Sequence, residues 1–407
     1  MFRTNCLVCE SNQLKEIINL GMQPFADTFI PKDKINEADL IYPLICDLCL
    51  NCGHVQTKCI TDPKERYAQH DYSYTSSNSS FSRSHWDEYC KKMIQDLDLK
   101  NGDLTVEVGS NDGYLSEQFQ KNGFKAIGVD PSPYMAELAK QRGVNTIIDL
   151  FDENVGEKIL KEYGKAKLVA ANNVYNHSNN PLGFTKTVTN ILSSDGYFVF
   201  EQPYWFTTIQ SGKFDQIYHE HVSYYTVKSV KELLAKAGMK IKSAKIVDYH
   251  GESLRIIAQL AESIKEESEE VKRMIEKEEE FGLFSEELYK KYMEDNIRAR
   301  NLFMERIFKI KQNGGTIIAI GAAAKGNTFL NFYGLDNSLV DFVTDSSPHK
   351  QGKFTPATRI PIVGDEIFSK YKEPYALILS WNIAHQLKPI LEKINPNIKF
   401  ISPESQQ

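Results

Sequence analysis

An α/β chain in three parts is what the 407 residues predict. Two separate stretches run from an apolar strand through a glycine-bearing loop into a helix: TVEVGSNDGYLS at 105–116 and TIIAIGAAAKGNTFLNF at 316–332. Each is followed by further short apolar runs ending in polar residues, the pattern of strand–helix–strand units on a parallel sheet. Ahead of both, Cys6, Cys9, Cys46, Cys49 and Cys52 stand in CxxC spacing, which suits metal ligation. The expected organisation is an N-terminal zinc-binding domain over 1–70, a central Rossmann-like domain over 71–260, and a helical connector with a C-terminal Rossmann-like α/β domain over 261–407.

Composition limits the function classes. Apolar residues make up 41 % and charged residues 25 %, ordinary values for a globular protein. No apolar run approaches the ~20 residues that cross a bilayer, and the start, MFRTNCLVCE, lacks the apolar core of a secretory signal. A net charge of −6 supplies no broad basic field, and the cysteine segment lacks the Lys/Arg density of phosphate contacts, so no nucleic-acid partner and no membrane partner are expected. Seven cysteines without a signal argue against a disulfide framework and for a cytoplasmic location.

Cys6 and Cys9 form one CxxC, and Cys46, Cys49 and Cys52 form two overlapping ones. One tight turn at this spacing closes half of a tetrahedral zinc site, so two pairs predict a structural four-cysteine centre. The set expected is Cys6, Cys9, Cys49 and Cys52, with Cys46 or His54 in reserve; Gly53 eases the turn behind Cys52. Four thiolates leave no open position for a catalytic zinc. The wide separation of the pairs implies an excursion between them, and Cys59 and Cys90 read as packing residues. Free thiols or a CxxC redox pair are the competing readings.

The first glycine loop names a cofactor. Strand 105–108 carries Glu107 and enters Gly109, Ser110, Asn111, Asp112 and Gly113, where the glycines allow a sharp turn and close approach of a ligand. The loop is acidic and lacks both the third glycine of GxGxxG and the GK[ST] of a phosphate loop. An acidic loop suits a ligand with a cationic amino-acid end and ribose hydroxyls, as in S-adenosylmethionine. Asp130 ends the next strand, where an adenosine ribose is held in doubly wound folds. Asp149 ends the third strand as a weaker adenine candidate. An ordinary strand-to-helix turn is the competing reading.

A hydroxyl-rich loop, HDYSYTSSNSSFSRSHW, precedes a helix expected over 85–97. The fourth strand, KLVAANNVYNH, delivers Asn172, Asn173 and His177 to the sheet's C-terminal edge, and the next ends with Glu201 and Gln202 there. Then FDQIYHEHVSYYT (214–226) groups Tyr218, His219, Glu220 and His221. Imidazole takes a proton near neutral pH, a neighbouring carboxylate can orient it, and a phenol can donate to a developing oxyanion. The set suits proton removal beside a carbonyl; a metal-binding His/Glu cluster or a polar surface loop is the alternative. HGESLR supplies His250, Ser253 and Arg255 either as a loop that reaches substrate or as a turn before a strand.

From Glu262 to about Lys311 the chain is charged and helical in period, interrupted at Gly282. The second glycine loop places Lys325 and Asn327 where a phosphate meets a helix N-terminus, and the following strand ends in Asp345. The loop departs from GxGxxG, which speaks against NAD. Lys325, Asn327 and Asp345 are the candidate substrate contacts of this domain, with a packing-only domain as the alternative.

In order, these pieces resemble the C-methyltransferases that act on nucleotide-linked keto-deoxysugars. The likeness spans nearly the whole chain and rests on CxxC (Cys6, Cys9), LGMQPFADTFI, CLNCGHVQ, YSYTSS, EVGSNDGYLS, NVYNH, YHEH, HGESLR and GAAAKGN. It implies a zinc-binding N-terminal domain, a central S-adenosylmethionine-dependent methyltransferase domain, and a C-terminal domain that helps hold a nucleotide-sugar, with thymidine diphosphate as the usual carrier. It implies His221 as the base at the carbon beside a 4-keto group, C3, with Tyr218, Glu220, His177 and Tyr74 (Tyr72 in reserve) in support. The family commonly has an apolar residue and Ala before the strand-end histidine, where this chain has Tyr175 and Asn176. Sugar O-methylation, and a non-catalytic zinc- and nucleotide-binding protein with a methyltransferase shell, are the alternative functions.

Overall fold

The computed structural model describes residues 1–67, 75–77, 79–249, 251–263, 266 and 268–403. Tyr72, Tyr74 and His250 lie outside the described residues. The excursion between the cysteine pairs is itself a sheet. Strands β1 (Leu14–Pro24) and β2 (Ile41–Cys49) run antiparallel, and β3 (Val55–Thr57) pairs β2 after the second cysteine pair. Bulges between Glu16 and Ile18 and between Asn19 and Met22 break the two-residue alternation of β1, which is why its strand character is hidden in the sequence.

The central domain contributes β4 (Leu104–Val108), β5 (Lys125–Val129), β6 (Asn145–Ile147), β7 (Ala166–Ala170), β8 (Leu192–Pro203), β9 (Ser223–Tyr224), β10 (Met239–Val247) and β11 (Ser253–Leu260). Seven of these form a sheet in the order β10-β11-β8-β7-β4-β5-β6. Strands β4 to β8 are mutually parallel and β11 runs antiparallel to β8. Val106, Val108, Ile127, Val129, Leu168 and Val169 are buried, as befits a sheet covered on both faces. Strand order reverses between β4 and β7, so the loops after these strands part and open a crevice. β9 leaves this sheet altogether and pairs β3, extending the N-terminal sheet to four strands.

The C-terminal domain is a five-stranded parallel sheet of β12 (Ile317–Ile320), β13 (Phe342–Thr344), β14 (Ile362–Val363), β15 (Tyr375–Ile378) and β16 (Lys399–Ile401). Its order, β14-β13-β12-β15-β16, reverses between β12 and β15. The charged connector folds as helices Glu269–Glu280 and Glu286–Gln312, parted at Gly282 as expected. Ile18, Leu44, Phe303, Ile307, Phe329 and Leu330 share one apolar cluster, so the N-terminal sheet, the long helix and the C-terminal domain pack as one body. The helix expected over 85–97 begins earlier, at Ser80, because Ser79 caps it by accepting the N–H of Ser82. Among the described residues, no helix is long and apolar enough to cross a membrane.

Candidate active site and metal centre

The sulfurs of Cys6, Cys9, Cys49 and Cys52 lie within 4.8 Å of one another. The Cys6–Cys52 pair stands at 3.6 Å and the Cys9–Cys49 pair at 3.4 Å. Four sulfurs about 2.3 Å from one zinc would be about 3.8 Å apart, so the set fits a closed structural centre. Both CxxC turns share one geometry: Glu10 N donates to Cys6 O at 3.0 Å and Gly53 N to Cys49 O at 2.9 Å. Both turns end on a left-handed residue, Glu10 at φ 64° and Gly53 at φ 72°. A Cβ on Gly53 would also stand 2.4 Å from the Phe284 ring, so only glycine fits. Neither reserve ligand joins the cluster. Cys46 is buried in β2 opposite Thr57, and the His54 ring packs 5.3 Å from Tyr225.

One short strand, β3, separates the second cysteine turn from the segment that follows His221. β3 follows that turn directly, Val55 and Gln56 pair with Tyr224 and Ser223, and Thr57 N donates to Val222 O at 2.9 Å. The segment that follows His221 is therefore hydrogen-bonded to the strand that leaves the cysteine turn.

The cofactor crevice is built at the reversal of strand order. Gly109, at φ 70°, donates its N–H to Val129 O at 2.8 Å, and a Cβ there would stand 2.8 Å from Val174. Asp130 ends β5, and its two carboxylate oxygens accept the backbone N–H groups of Asn111 and Ser132, each at 2.9 Å. Fixed in this way, the carboxylate keeps further lone pairs for hydroxyl donors, which fits the ribose of S-adenosylmethionine. Burial raises its pKa, although the two N–H bonds work the other way.

Other predicted cofactor residues are engaged inside the protein. Glu107 accepts both the N–H and the hydroxyl of Ser116, at 3.0 and 2.5 Å, and burial pushes its carboxyl up to about 8. Asp112 accepts from Ser76 at 2.6 Å, from Ser77, and from Arg142 at 3.4 Å; Asn111 accepts the N–H of Ser76 at 2.8 Å. The acids of the GSNDG loop thus grip the hydroxyl-rich stretch before the first long helix. Gly113 caps the following helix, Tyr114–Lys121. Ser110 presses its hydroxyl against Gly128 of β5. Asn172 accepts the N–H of Glu201 at 3.0 Å and ties β7 to β8, while Asp149 is exposed and accepts the N–H of Leu150.

The YHEH motif divides between two neighbourhoods. His221 Nδ1 lies 2.9 Å from Gln216 O, and a carbonyl only accepts, so Nδ1 carries the proton and Nε2 bears the lone pair of the neutral ring. The His221 ring centroid is 3.9 Å from that of Tyr218 and 5.2 Å from that of His177. Val222 N donates to Asn176 O at 2.9 Å, joining the segment of His221 to the segment of His177. Burial, with Arg66 second, pushes His177 down to about 3. His219 instead packs against Phe25 and Tyr42 of the N-terminal domain, at 5.8 and 6.0 Å. Glu220 accepts the N–H of Asp27 at 3.4 Å, and burial pushes it up to about 7. Orientation of His221 by a neighbouring carboxylate is therefore corrected: the Gln216 carbonyl performs it. Asp27 and Gln216 lie inside the LGMQPFADTFI and FDQIYHEHVSYYT segments without a role of their own, Arg66 lies in none, and the part each plays is legible only once the segments meet.

Three predicted substrate contacts have structural partners instead. Ser253 donates to Tyr249 O at 2.8 Å inside β11. Arg255 pairs with the fully buried Glu201, whose other oxygen lies 2.8 Å from His85 Nε2, and the guanidinium sits 4.9 Å from the Tyr89 ring. Asn327 donates to Ala26 O at 2.6 Å and fastens the C-terminal domain to the N-terminal one. Strand register places Arg255 directly opposite Glu201. Lys325 and Asp345 stand at the C-terminal sheet's own crevice. Lys325 opens helix Ala324–Tyr333, and burial lowers it to about 8. Lys213 and Lys325 lie 3.5 and 5.2 Å from the Trp381 ring, whose Nε1 donates to Asp215. Asp345 accepts from Ala322 N at 3.0 Å and Ser347 N at 2.9 Å, with Lys350 at 3.8 Å.

Three family models match the chain one after another. Residues 6–67 match a zinc binding domain model, 82–244 a methyltransferase domain, and 248–403 a C-methyltransferase C-terminal domain. The C-methyltransferase NovU of Streptomyces niveus is 29 % identical over 382 residues, covering 94 % of this chain and 90 % of NovU. A solved S-adenosylmethionine-dependent methyltransferase of Clostridium acetobutylicum is 17 % identical, covers 48 % of this chain and 95 % of its own, and gives a TM-score of 0.35. The magnesium protoporphyrin IX methyltransferase of Synechocystis PCC 6803 is 13 % identical, with 48 % and 88 % covered and a TM-score of 0.34.

Proposed function

We propose that this S-adenosylmethionine-dependent C-methyltransferase with an N-terminal zinc-binding domain methylates C3 of a nucleotide-activated 4-keto-deoxysugar through an enolate generated by His221. One observation carries the reading: the Gln216 carbonyl holds the Nδ1 proton of His221, which leaves Nε2 as the basic atom of a ring that clusters with those of Tyr218 and His177. A carbon acid beside a ketone ionises only when its oxygen meets donors already in place, and the Tyr218 phenol is such a donor. Asp130 would hold the ribose of S-adenosylmethionine, whose sulfonium would give its methyl group to the enolate carbon as the S–CH3 bond breaks and its electron pair stays on sulfur. The zinc turn holds the base segment through β3 and β9 and takes no part in the chemistry. Lys213 and Lys325, two cations around one indole beside the base segment, suit the diphosphate and base of the nucleotide carrier, with thymidine diphosphate the first to test.

The test uses a nucleotide-linked 4-keto sugar in deuterated water without methyl donor. Wild-type enzyme is expected to exchange the C3 proton, and His221→Asn to lose exchange and turnover by about 10²-fold or more while still binding S-adenosylmethionine in calorimetry. An O-methyl product without C3 exchange would sink the carbon-acid mechanism. Wild-type turnover in His221→Asn would remove this residue as the base.

A further inference from the structure

Three backbone carbonyls from the two histidine segments converge, and one buried guanidinium meets all of them. Arg66 Nη1 lies 3.4 Å from His177 O and 3.5 Å from each of His219 O and Glu220 O. The residue is 5 % exposed. Carbonyl oxygens pointed at one another away from water repel, and leaving them without a donor costs as much as a lost hydrogen bond. A planar group with several fixed donors and a permanent charge answers several carbonyls at once, which an ammonium on a flexible stem does poorly.

The three carbonyls belong to the two segments that carry the imidazoles. His177 ends the strand-end motif; His219 and Glu220 directly precede His221; the His177 and His221 rings end 5.2 Å apart. Arg66 comes from a third segment, the short helix Pro63–Tyr67 that closes the N-terminal domain. Its charge also acts in one sense on the groups around it, lowering the basicity of His177 and His219 and favouring the anion of Glu220, which Asp27 opposes. Arg3, from the N-terminal segment, is lowered to about 10 by burial and, second, by the charge of Arg66.

We propose that Arg66 is the positioning residue of this site, clamping the strand-end segment to the base segment so that His177 and His221 share one pocket. The role rests on the reading of His221 as the base, and its test separates the two. Arg66→Ala is expected to lose about 10²-fold in kcat, keep its S-adenosylmethionine affinity in calorimetry within about twofold, and regain at least about tenfold in rate with added guanidinium but not with ammonium. Arg66→Lys, which keeps the charge but not the fork, is expected to fall between, and it decides alone if the alanine variant does not fold. The ring ¹⁵N shifts of His177 and His221 are expected to move in the variant, while those of the exposed His349 stay. This readout stands even if no 4-keto sugar is turned over by the wild type. Unmoved ring shifts in a folded variant, or wild-type kcat in Arg66→Lys, would overturn the clamp.

Discussion

In the central sheet the second strand ends in Asp130, which takes the N–H of Asn111 from the first loop and of Ser132 two residues on. In the C-terminal sheet the second strand ends in Asp345, which takes the N–H of Ala322 from the first loop and of Ser347 two residues on. Gly109 and Gly321, at φ 70° and 98°, both donate to the residue before that acid, each at 2.8 Å. The two sheets share one strand order about their reversal points. What differs is charge. Two residues before the glycine stands Glu107 in one sheet and Ala319 in the other; beyond it come Asn111 and Asp112 in one and alanines leading to Lys325 in the other. Glu107, Asn111 and Asp112 are taken up by Ser116, Ser76 and Arg142 and so order the first loop, whereas Lys325 lies beside the Trp381 ring. On the proposed reading the same backbone cradle takes its ligand preference from side chains beside the acid rather than from the acid itself.

The sharpest break of this comparison sets a structural charge against a functional one. Arg255→Met leaves the buried Glu201 with His85 alone, and a loss of about 3–5 kcal/mol is expected in denaturant unfolding. Lys325→Met removes a partly desolvated cation and is expected to leave stability within about 1 kcal/mol. Equal losses would mean that Lys325 is also a structural residue.

A reciprocal pair of binding measurements comes next. Asp130→Asn is expected to weaken S-adenosylmethionine by about tenfold or more and leave thymidine diphosphate unchanged in calorimetry. Lys325→Met is expected to do the reverse. If either variant lost both ligands, the two crevices would be one site and the division of labour would fail.

The smallest effect concerns pH. Glu107 sits at about 8 in the folded protein because it is buried, against about 4.5 when unfolded. Between those values the native state holds a proton that the unfolded chain has lost, so this group makes stability fall as pH rises, by up to about 1.4 kcal/mol per unit. Glu220 and Glu278 stop contributing near 7, where burial has placed them. Glu107→Gln is expected to flatten the decline in melting temperature between pH 7 and 8 in particular. An unchanged slope would mean that Glu107 is ionised beside Ser116.

Much of the site was legible without coordinates because its signals are local. Gly109 lies where a strand must turn into a helix, and Asp130 and Asp345 each end an apolar run. YHEH was legible as a cluster, but not its division, with His221 beside His177 and His219 inside the N-terminal domain. Arg255 and Ser253 read as substrate contacts because HGESLR is polar, while their partners Glu201 and the Tyr249 carbonyl were not legible. β1 was hidden by its bulges, and β9 because two residues carry no periodicity.

By itself the sequence determined which chemistry was available: four thiolates in two tight turns, an acid at each second-strand tip, and imidazoles beside a phenol. Spacing along the chain suffices for these, since a turn or a strand end is decided by residues within a few positions. Only the tertiary structure decided what each group faces. That Glu107 meets Ser116, that Arg255 meets Glu201, and that Arg66 gathers carbonyls from two other segments all depend on hydrogen bonds between residues apart in sequence. Such bonds act over about 3 Å and along fixed directions, so the side chain names a capacity and the fold names its partner.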